Sequence, residues 1–337
     1  MGWEQLRGHE QQIEMFRRTI ARGRLGQAYL LSGPEGIGKR TFAAILAQAL
    51  FCRTNPAAAL DPCGICPPCK QLAAGTHPDF SQVALLPGKA ELLIEQFIGT
   101  KENRGNEGLC HELALKPMDA ERKVAVIDDA DKLNDASANA LLKTLEEPPR
   151  GSVILLVAAN PDRLLPTIRS RCQTIRFAPL ATGDIAELLL EQSIADTPAA
   201  AEEIAALSGG SLATAVQLSD PELLAARREI HRGLASNRFH SGEIAAKALE
   251  CIEAAGTEAA AQRQRAAWIL HFCVEFYREA LTGVSLADPE AAEVIGAAME
   301  RAVEAQLHLD RRMTVGLCIE ALFDDLGRIA RAAAASA

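Results

Sequence analysis

The stretch LLSGPEGIGKRTFAAILAQAL, Leu30–Leu50, joins an apolar run to a helical pattern through a glycine-rich turn. Gly33 and the Gly38-Lys39 pair stand at the spacing of a phosphate-binding P-loop, with Gly36 between them. The strand candidate AYLL precedes the turn and the helical pattern RTFAAILAQAL follows it, which is the context that a P-loop needs. The stretch therefore predicts an α/β domain in which backbone amides and a helix N-terminus bind nucleotide phosphates.

The residue after the P-loop lysine departs from the usual pattern. An active loop has Ser or Thr there, and its hydroxyl binds Mg²⁺, whereas this chain has Arg40. A guanidinium group has no lone pair to give a metal, and Thr41 is rotated away by about 100° around a helix. We therefore expect ATP or ADP at Gly33–Thr41 without a good Mg²⁺ site, and weak or absent hydrolysis. The alternative is a glycine-rich turn with a solvated lysine.

A second apolar strand candidate, in KVAVIDDADKLN, ends in carboxylates. Asp128 stands where a P-loop protein has its metal-holding acid, and Asp129 replaces the usual water-polarising glutamate with a side chain one methylene shorter. A displacement of about 1 Å at a catalytic base costs around 10²-fold in rate. Asn160 ends another strand candidate, where a sensor of the terminal phosphate would lie. The alternative for the acids is a solvated turn that caps the next helix.

Composition and charge limit the class of protein. The chain has 337 residues, enough for two or three domains, and a net charge of −9, which disfavours a free-standing nucleic-acid binder. No apolar run reaches the length of a membrane span, and the N-terminal sequence MGWEQLRGHE is too polar for a signal peptide. We therefore expect a cytoplasmic protein with no membrane partner.

Four of the nine cysteines are clustered, and the other five are scattered and typical of small core residues. Four thiolates brought together by Gly- and Pro-rich turns suit a tetrahedral, structural Zn²⁺ site. Two disulfides are disfavoured in a reducing compartment. An iron–sulfur site of the ferredoxin type would need a further cysteine where Ala73 stands. The predicted zinc ligands are Cys52, Cys63, Cys66 and Cys69.

The hydrophobic pattern divides the chain into three parts. Residues 1–178 alternate five strand candidates with amphipathic stretches and predict a parallel sheet with flanking helices, with the metal module at about 52–69. Residues 179–220 contain three short helical patterns, which predict a small helical domain. Residues 221–337 show helical spacing and no strand pattern, which predicts an all-α bundle.

Arg171 follows this sheet pattern in the tripeptide Ser170-Arg171-Cys172. An arginine at the rim of such a domain faces away from its own P-loop. One interpretation is an arginine finger given to nucleotide on a neighbouring subunit. The other is a surface arginine that caps the C-terminus of a helix.

The segments RLGQAYLLSGPEGIGKRT and ANALLKTLEEPPRGSVILLVAANPDRLLPTIRSRC, the four-cysteine insertion and the trailing helical region together resemble bacterial clamp-loader subunits of the AAA+ class. The resemblance is strong over 8–177 and weaker beyond. It implies an AAA+ P-loop domain with a zinc module, a helical lid domain at 179–220 and a collar domain for oligomerisation at 221–337. It also places Arg171 at the ATP site of the adjacent motor subunit, and Ala213 where an active motor has a sensor arginine.

The function implied by the resemblance is a part in ATP-dependent loading of a sliding clamp onto primed DNA. The implied partners are gamma/tau and delta subunits in a hetero-pentamer, the clamp, and DNA through the assembled complex. Two rival hypotheses stay open. One is an ATP-hydrolysing gamma/tau-type subunit, which an intact hydroxyl after Lys39 would have supported. The other is a P-loop nucleotide kinase acting on a small molecule.

Overall fold

A computed structural model describes residues 2–236, 239–284, 288–311 and 313–336. The chain forms two compact units, Met1–Val216 and Gln217–Ala337. In the described ranges no helix combines the length and the apolar character needed to span a membrane. The three-part division at 178 and 220 stays a prediction.

The first unit is built on a five-stranded parallel sheet with the strand order β2-β3-β4-β1-β5. All residues of β1, β3 and β4 are buried, as expected for parallel strands covered on both faces. The prediction of a parallel sheet from five strand patterns is therefore confirmed. The strands are β1 (Ala28–Ser32), β2 (Phe80–Val83), β3 (Lys123–Ile127), β4 (Ser152–Ala158) and β5 (Gln173–Arg176).

The register of the sheet brings the predicted site segments to one edge. Leu30 of β1 pairs with Leu156 of β4, which in turn pairs with Ile127 of β3. Because parallel strands end at the same edge, the P-loop after β1, the acids after β3 and the segment after β4 all begin there.

Helices pack on the sheet, and further helices follow its last strand in sequence. On one face, a core that includes Leu30, Ile127 and Leu156 contains the buried side chains Leu141 and Leu145 of the helix Asp135–Glu146. The helices as far as β5 are α1 (Glu10–Ala21), α2 (Lys39–Phe51), α3 (Pro67–Ala73), α4 (Glu95–Ile98), α5 (Leu109–Ala114), α6 (Asp135–Glu146) and α7 (Pro166–Arg169). Three more follow β5, namely α8 (Thr182–Glu191), α9 (Pro198–Leu207) and α10 (Leu212–Leu218).

The regular elements of the second unit, in the described residues, are all helices. Its first helix is capped by Asp220, which accepts hydrogen bonds from two backbone N–H groups, and Pro221 takes the first helical position. Ile269, Phe272 and Phe323 are among its buried core residues. The prediction of a helical C-terminal part is confirmed. The helices are α11 (Pro221–Leu234), α12 (Ser241–Ala254), α13 (Ala259–Gly283), α14 (Pro289–Asp310) and α15 (Val315–Ser336).

Candidate functional site

The P-loop glycines lie between β1 and α2, and Gly36 packs against the start of α10. Gly36 has a positive φ of 74°, and a Cβ there would lie 2.4 Å from Ser211 Oγ and 2.5 Å from Ala213 Cβ. The Gly36 carbonyl accepts hydrogen bonds from the Leu212 and Ala213 N–H groups at 3.0 and 3.3 Å. Glycine is thus required at this position by the packing of the chain itself, independently of any phosphate.

The other two glycines of the loop are also enclosed by protein. A Cβ at Gly33 would lie 2.3 Å from the Phe177 carbonyl oxygen, and one at Gly38 would lie 2.7 Å from Leu6 Cδ2. Gly38 has a φ of 94° and is the N-cap residue of α2, so its left-handed conformation starts the helix. Packing and helix initiation thus account for the glycines. The backbone N–H groups in the first turn of α2 have no partner within the helix, and they are the part of this loop that can bind an anion.

Lys39 is buried, with 5% of its surface exposed, and its amine turns back onto the loop. It donates hydrogen bonds to the Gly33 carbonyl at 2.7 Å and to the Pro34 carbonyl. Burial lowers the pKa of Lys39, and nearby carboxylates, Glu35 first, oppose that shift. A phosphate would have to replace these two carbonyl partners in order to bind the amine.

Arg40 lies beside the acid that was predicted to hold a metal. Its NH1 atom is 3.3 Å from Asp128 Oδ2. With the Gln82 amide oriented to satisfy its hydrogen bonds, the amide oxygen accepts from Arg40 Nε and NH2 at 3.2 Å each. The guanidinium group therefore bridges β2 and the end of β3, and Thr41 is half-buried one position further along α2.

The carboxyl of Asp128 is largely buried, and this changes its titration. Burial raises the pKa of Asp128, the neighbouring Asp129 raises it further, and Arg40 and Lys39 lower it. Asp129 has a left-handed backbone, with φ at 51°, and its N–H donates to Asp128 Oδ1 at 3.1 Å. The two acids are thus fixed in one strained turn at the sheet edge.

Asn160 follows β4 at the same edge, and its side chain has a local partner. The side-chain oxygen accepts a hydrogen bond from the Asp162 N–H at 3.0 Å and caps a short 3₁₀ turn. Asp131 binds this segment from the other side, with carboxylate oxygens 3.3 Å from the Ala159 and Asn160 nitrogens. The sequence analysis gave Asp131 no role in the site and did not identify Gln82. The only indication of Gln82 in the sequence is that it is a polar residue within a strand pattern.

The four clustered cysteines converge around the C-terminus of α2 and the N-terminus of α3. Their four Sγ atoms all lie within 4.8 Å of one another, and this group could hold a metal ion. Cys52 directly follows α2, and Cys66 is the N-cap residue of α3. Gln48 of α2 donates to the Cys69 carbonyl at 2.9 Å and so joins the module to the sheet domain.

Hydrogen bonds favour the thiolate form of Cys63, the form that a metal needs, whereas burial raises the pKa of Cys69. The Thr54 hydroxyl and then the backbone N–H groups of Ile65 and Cys66 lower the pKa of Cys63 to about 6. Cys52 Sγ accepts from the N–H groups of Asn55 and Cys63 at 3.4 and 3.5 Å. The donor set of four sulfurs matches the chemistry of a structural, four-coordinate metal site.

Arg171 lies on the surface after α7, where 34% of its side chain is exposed. Its NH2 atom is 2.6 Å from Glu146 Oε1 at the end of α6, and its NH1 atom donates to the Thr167 carbonyl at 2.9 Å. Cys172 instead packs against the core, and burial raises its pKa to about 11. The tripeptide thus directs its arginine outward and its cysteine inward.

The chain is similar in sequence to known proteins. Residues 8–181 match the family described as DNA polymerase III, delta subunit. The chain is 40% identical over 224 residues to DNA polymerase III subunit delta' of Pseudomonas aeruginosa, covering 66% of this chain and 65% of that protein. It is 33% identical over 220 residues to the Bacillus subtilis subunit delta', covering 65% and 62%. These matches span less than two thirds of either relative.

The chain also shows lower similarity to two further proteins. The chain is 32% identical over 217 residues to DNA polymerase III subunit tau of Escherichia coli, covering 63% of this chain and 32% of tau. A gamma subunit-related protein of Thermotoga maritima aligns in structure over 95% of this chain and 99% of its own, with a TM-score of 0.43 and 16% identity.

Proposed function

This chain belongs to the DNA polymerase III delta-subunit family, and from that membership we propose that it serves as a delta-prime-type subunit of a clamp-loader complex. Its parallel α/β unit is an AAA+ domain, and its helical part from 221 onward is the collar that joins subunits. The partners are gamma/tau and delta subunits in a hetero-pentamer, and the assembled complex loads a sliding clamp onto primed DNA in the cytoplasm. The delta' relatives at 40% and 33% identity support this assignment.

The observation that carries the proposal is the exposed guanidinium of Arg171. It lies at the rim of the sheet domain and is held there by the ion pair with Glu146 and by hydrogen bonds to the Thr167 carbonyl and the Ser170 hydroxyl. An arginine placed in a neighbour's nucleotide site stabilises the charge that develops during phosphoryl transfer. We therefore assign Arg171 as a catalytic residue that acts in trans.

The chain's own nucleotide site is proposed to contribute little hydrolysis. Arg40 stands beside Asp128 at 3.3 Å, where an active site would have a metal-binding hydroxyl. Ala213, at the start of α10, has no charge to offer a phosphate. Both features favour a delta-prime-type role over an ATP-hydrolysing gamma/tau-type role.

The four-cysteine module is proposed to hold a structural Zn²⁺, which would contribute to folding and not to catalysis.

Reconstitution with Arg171→Ala tests the proposal. The variant is assembled with motor and delta subunits, and ATP turnover and clamp loading are measured with clamp and primed DNA present. We expect turnover at the adjoining site to fall by about 10³-fold or more, the contribution of an arginine finger, and loading to fall with it.

Arg169→Ala is the matched control, because Arg169 lies two residues away, is 38% exposed and pairs with Asp162. It should leave turnover and loading unchanged. Normal activity of the Arg171→Ala complex, with the variant confirmed in the assembly, would refute the assignment of this arginine.

A further inference from the structure

We propose that the Arg40 guanidinium is a built-in replacement for the divalent cation of a P-loop, so that this site binds nucleotide phosphates without metal. The inference deepens the nucleotide site of the proposed function and does not depend on Arg171. It is carried by the arrangement of Arg40, Asp128 and Gln82 at the edge of the sheet.

The guanidinium group of Arg40 is held by side chains on two sides. Its NH1 atom contacts the Asp128 carboxylate, and its Nε and NH2 atoms face the Gln82 amide oxygen. The contacts come from two neighbouring strands, since Gln82 of β2 pairs with Val126 of β3. Arg40 therefore spans the place between the P-loop helix and the acid after β3, which is where a metal would be bound.

A divalent ion cannot share the place that the Arg40 guanidinium occupies. Mg²⁺ binds a carboxylate oxygen at about 2.0–2.1 Å, and Asp128 Oδ2 already has the Arg40 NH1 atom 3.3 Å away. The ion and the guanidinium would repel each other at close range, where the Coulomb energy is large. Arg40 also supplies no lone pair to coordinate the ion. Asp128 is therefore neutralised internally.

The same guanidinium group keeps N–H donors that can bind phosphate. Guanidinium has five N–H donors, of which the contacts to Asp128 and Gln82 use three, so two remain. The Arg40 side chain is 63% exposed, so these donors are accessible from solvent. Guanidinium binds phosphate oxygens well without help from a metal.

The charge around the P-loop is mostly negative. Four carboxylates act on Lys39, those of Glu35, Asp128, Asp129 and Asp131. A polyphosphate adds more negative charge, which Mg²⁺ neutralises in an active site. Here the available cations are the chain's own Lys39 and Arg40. Because Lys39 must also leave the Gly33 and Pro34 carbonyls, we expect modest affinity for both ADP and ATP.

Nucleotide titrations of the full chain test this inference. Binding of fluorescent ADP and ATP analogues is measured with Mg²⁺ and with a chelator that removes divalent metal. The wild-type Kd values should agree within about twofold in the two conditions. Arg40→Thr, which supplies a hydroxyl instead, should bind about tenfold more weakly in chelator, the contribution of one charge-assisted hydrogen bond, and should recover in Mg²⁺.

A second readout follows the metal directly. Electron paramagnetic resonance of Mn²⁺ with ADP should show no bound ion on the wild type and a bound ion on Arg40→Thr. Asp128→Asn adds an independent variant: in a metal-dependent site it weakens nucleotide binding, whereas here the carboxylate holds no metal and asparagine keeps a side-chain oxygen that can accept from Arg40, so binding should be unchanged. Arg104→Thr, an exposed arginine in the segment between α4 and α5, is the matched control.

The inference is overturned if Mg²⁺ tightens wild-type binding tenfold or more, if Mn²⁺ binds to the wild type with ADP, or if the wild type binds no nucleotide in chelator. Circular dichroism of each variant establishes that it is folded. The outcome is separate from the Arg171 test, because that test measures hydrolysis at a neighbour's site in the assembled complex.

Discussion

Replacing Asp79 by alanine is expected to destabilise the first unit by about 3–5 kcal/mol, the cost of leaving one partner of a buried ion pair alone. Asp79 is 1% exposed and lies 3.7 Å from the amine of the buried Lys123. Its carboxylate also accepts three backbone N–H bonds, at 2.7, 2.7 and 2.8 Å, from Met118, Asp119 and Ala120. The alanine variant loses all of these bonds at once.

The structure offers a specific probe for this measurement. Trp3 packs against Phe42 of the first unit, whereas the second tryptophan, Trp268, lies in α13. In a Trp268→Phe background, the fluorescence of Trp3 reports the unfolding of the first unit by heat or urea. For a unit of about 200 residues, 3–5 kcal/mol corresponds to a fall in Tm of roughly 6–20 °C.

The stabilisation that Asp79 contributes is expected to depend on pH in a definite direction. Burial raises the pKa of Asp79, but the three N–H bonds and Lys123 together lower it by more, so its folded pKa lies below the usual value. The stabilisation is therefore complete above the unfolded pKa of about 4 and is lost as the pH falls through the folded pKa. The difference between wild type and Asp79→Ala should shrink in acid.

A matched control is Asp119→Ala, because the Asp119 carboxylate is 34% exposed and pairs with the exposed Arg53. That variant should change the free energy of unfolding by less than about 1 kcal/mol. A loss below about 1 kcal/mol for Asp79→Ala, or a difference that is the same at pH 7 and well below pH 4, would refute the reasoning.

Two further predictions concern the surface arginine and the cysteine module. Glu146→Gln removes the ion pair of Arg171; because both side chains are partly exposed, the free energy of unfolding in urea should change by less than about 1 kcal/mol. Turnover in the assembled complex should then change by at most about fivefold, and a loss as large as that of Arg171→Ala would contradict this. Cys69→Ser should abolish bound zinc, measured by atomic emission, and lower the Tm, while Cys251→Ser keeps the metal. Equal zinc content in both variants would contradict a four-cysteine site.

Much of the architecture could be predicted because its signals are local. Strands such as Ser152–Ala158 are continuous apolar runs, and a parallel sheet buried on both faces requires this pattern. The spacing from Gly33 to Lys39 likewise fixes a strand, a turn and a helix within one short stretch. The cysteines were found in the same way, since three of them stand at two-residue gaps.

The pairing of side chains at the site could not be predicted, because it depends on residues distant in sequence. Nothing near Arg40 indicates that Gln82 and Asp128 face its guanidinium, since only the order of the strands brings them together. The requirement for glycine at position 36 is similar. Its spacing suggested phosphate binding, whereas the structure shows that Ser211 and Ala213, at the start of α10, exclude a side chain there. Local motif spacing therefore located the site but not the partners within it.

The hydrogen bonds from α10 to the Gly36 carbonyl have a mechanical consequence. In a loop that opens and closes with each cycle of nucleotide exchange, the helices after the sheet must be free to swing. Here the backbone of Leu212 and Ala213 fastens those helices to the loop itself. Any rearrangement of the loop around Gly36 must therefore either break both hydrogen bonds or carry the start of α10 with it.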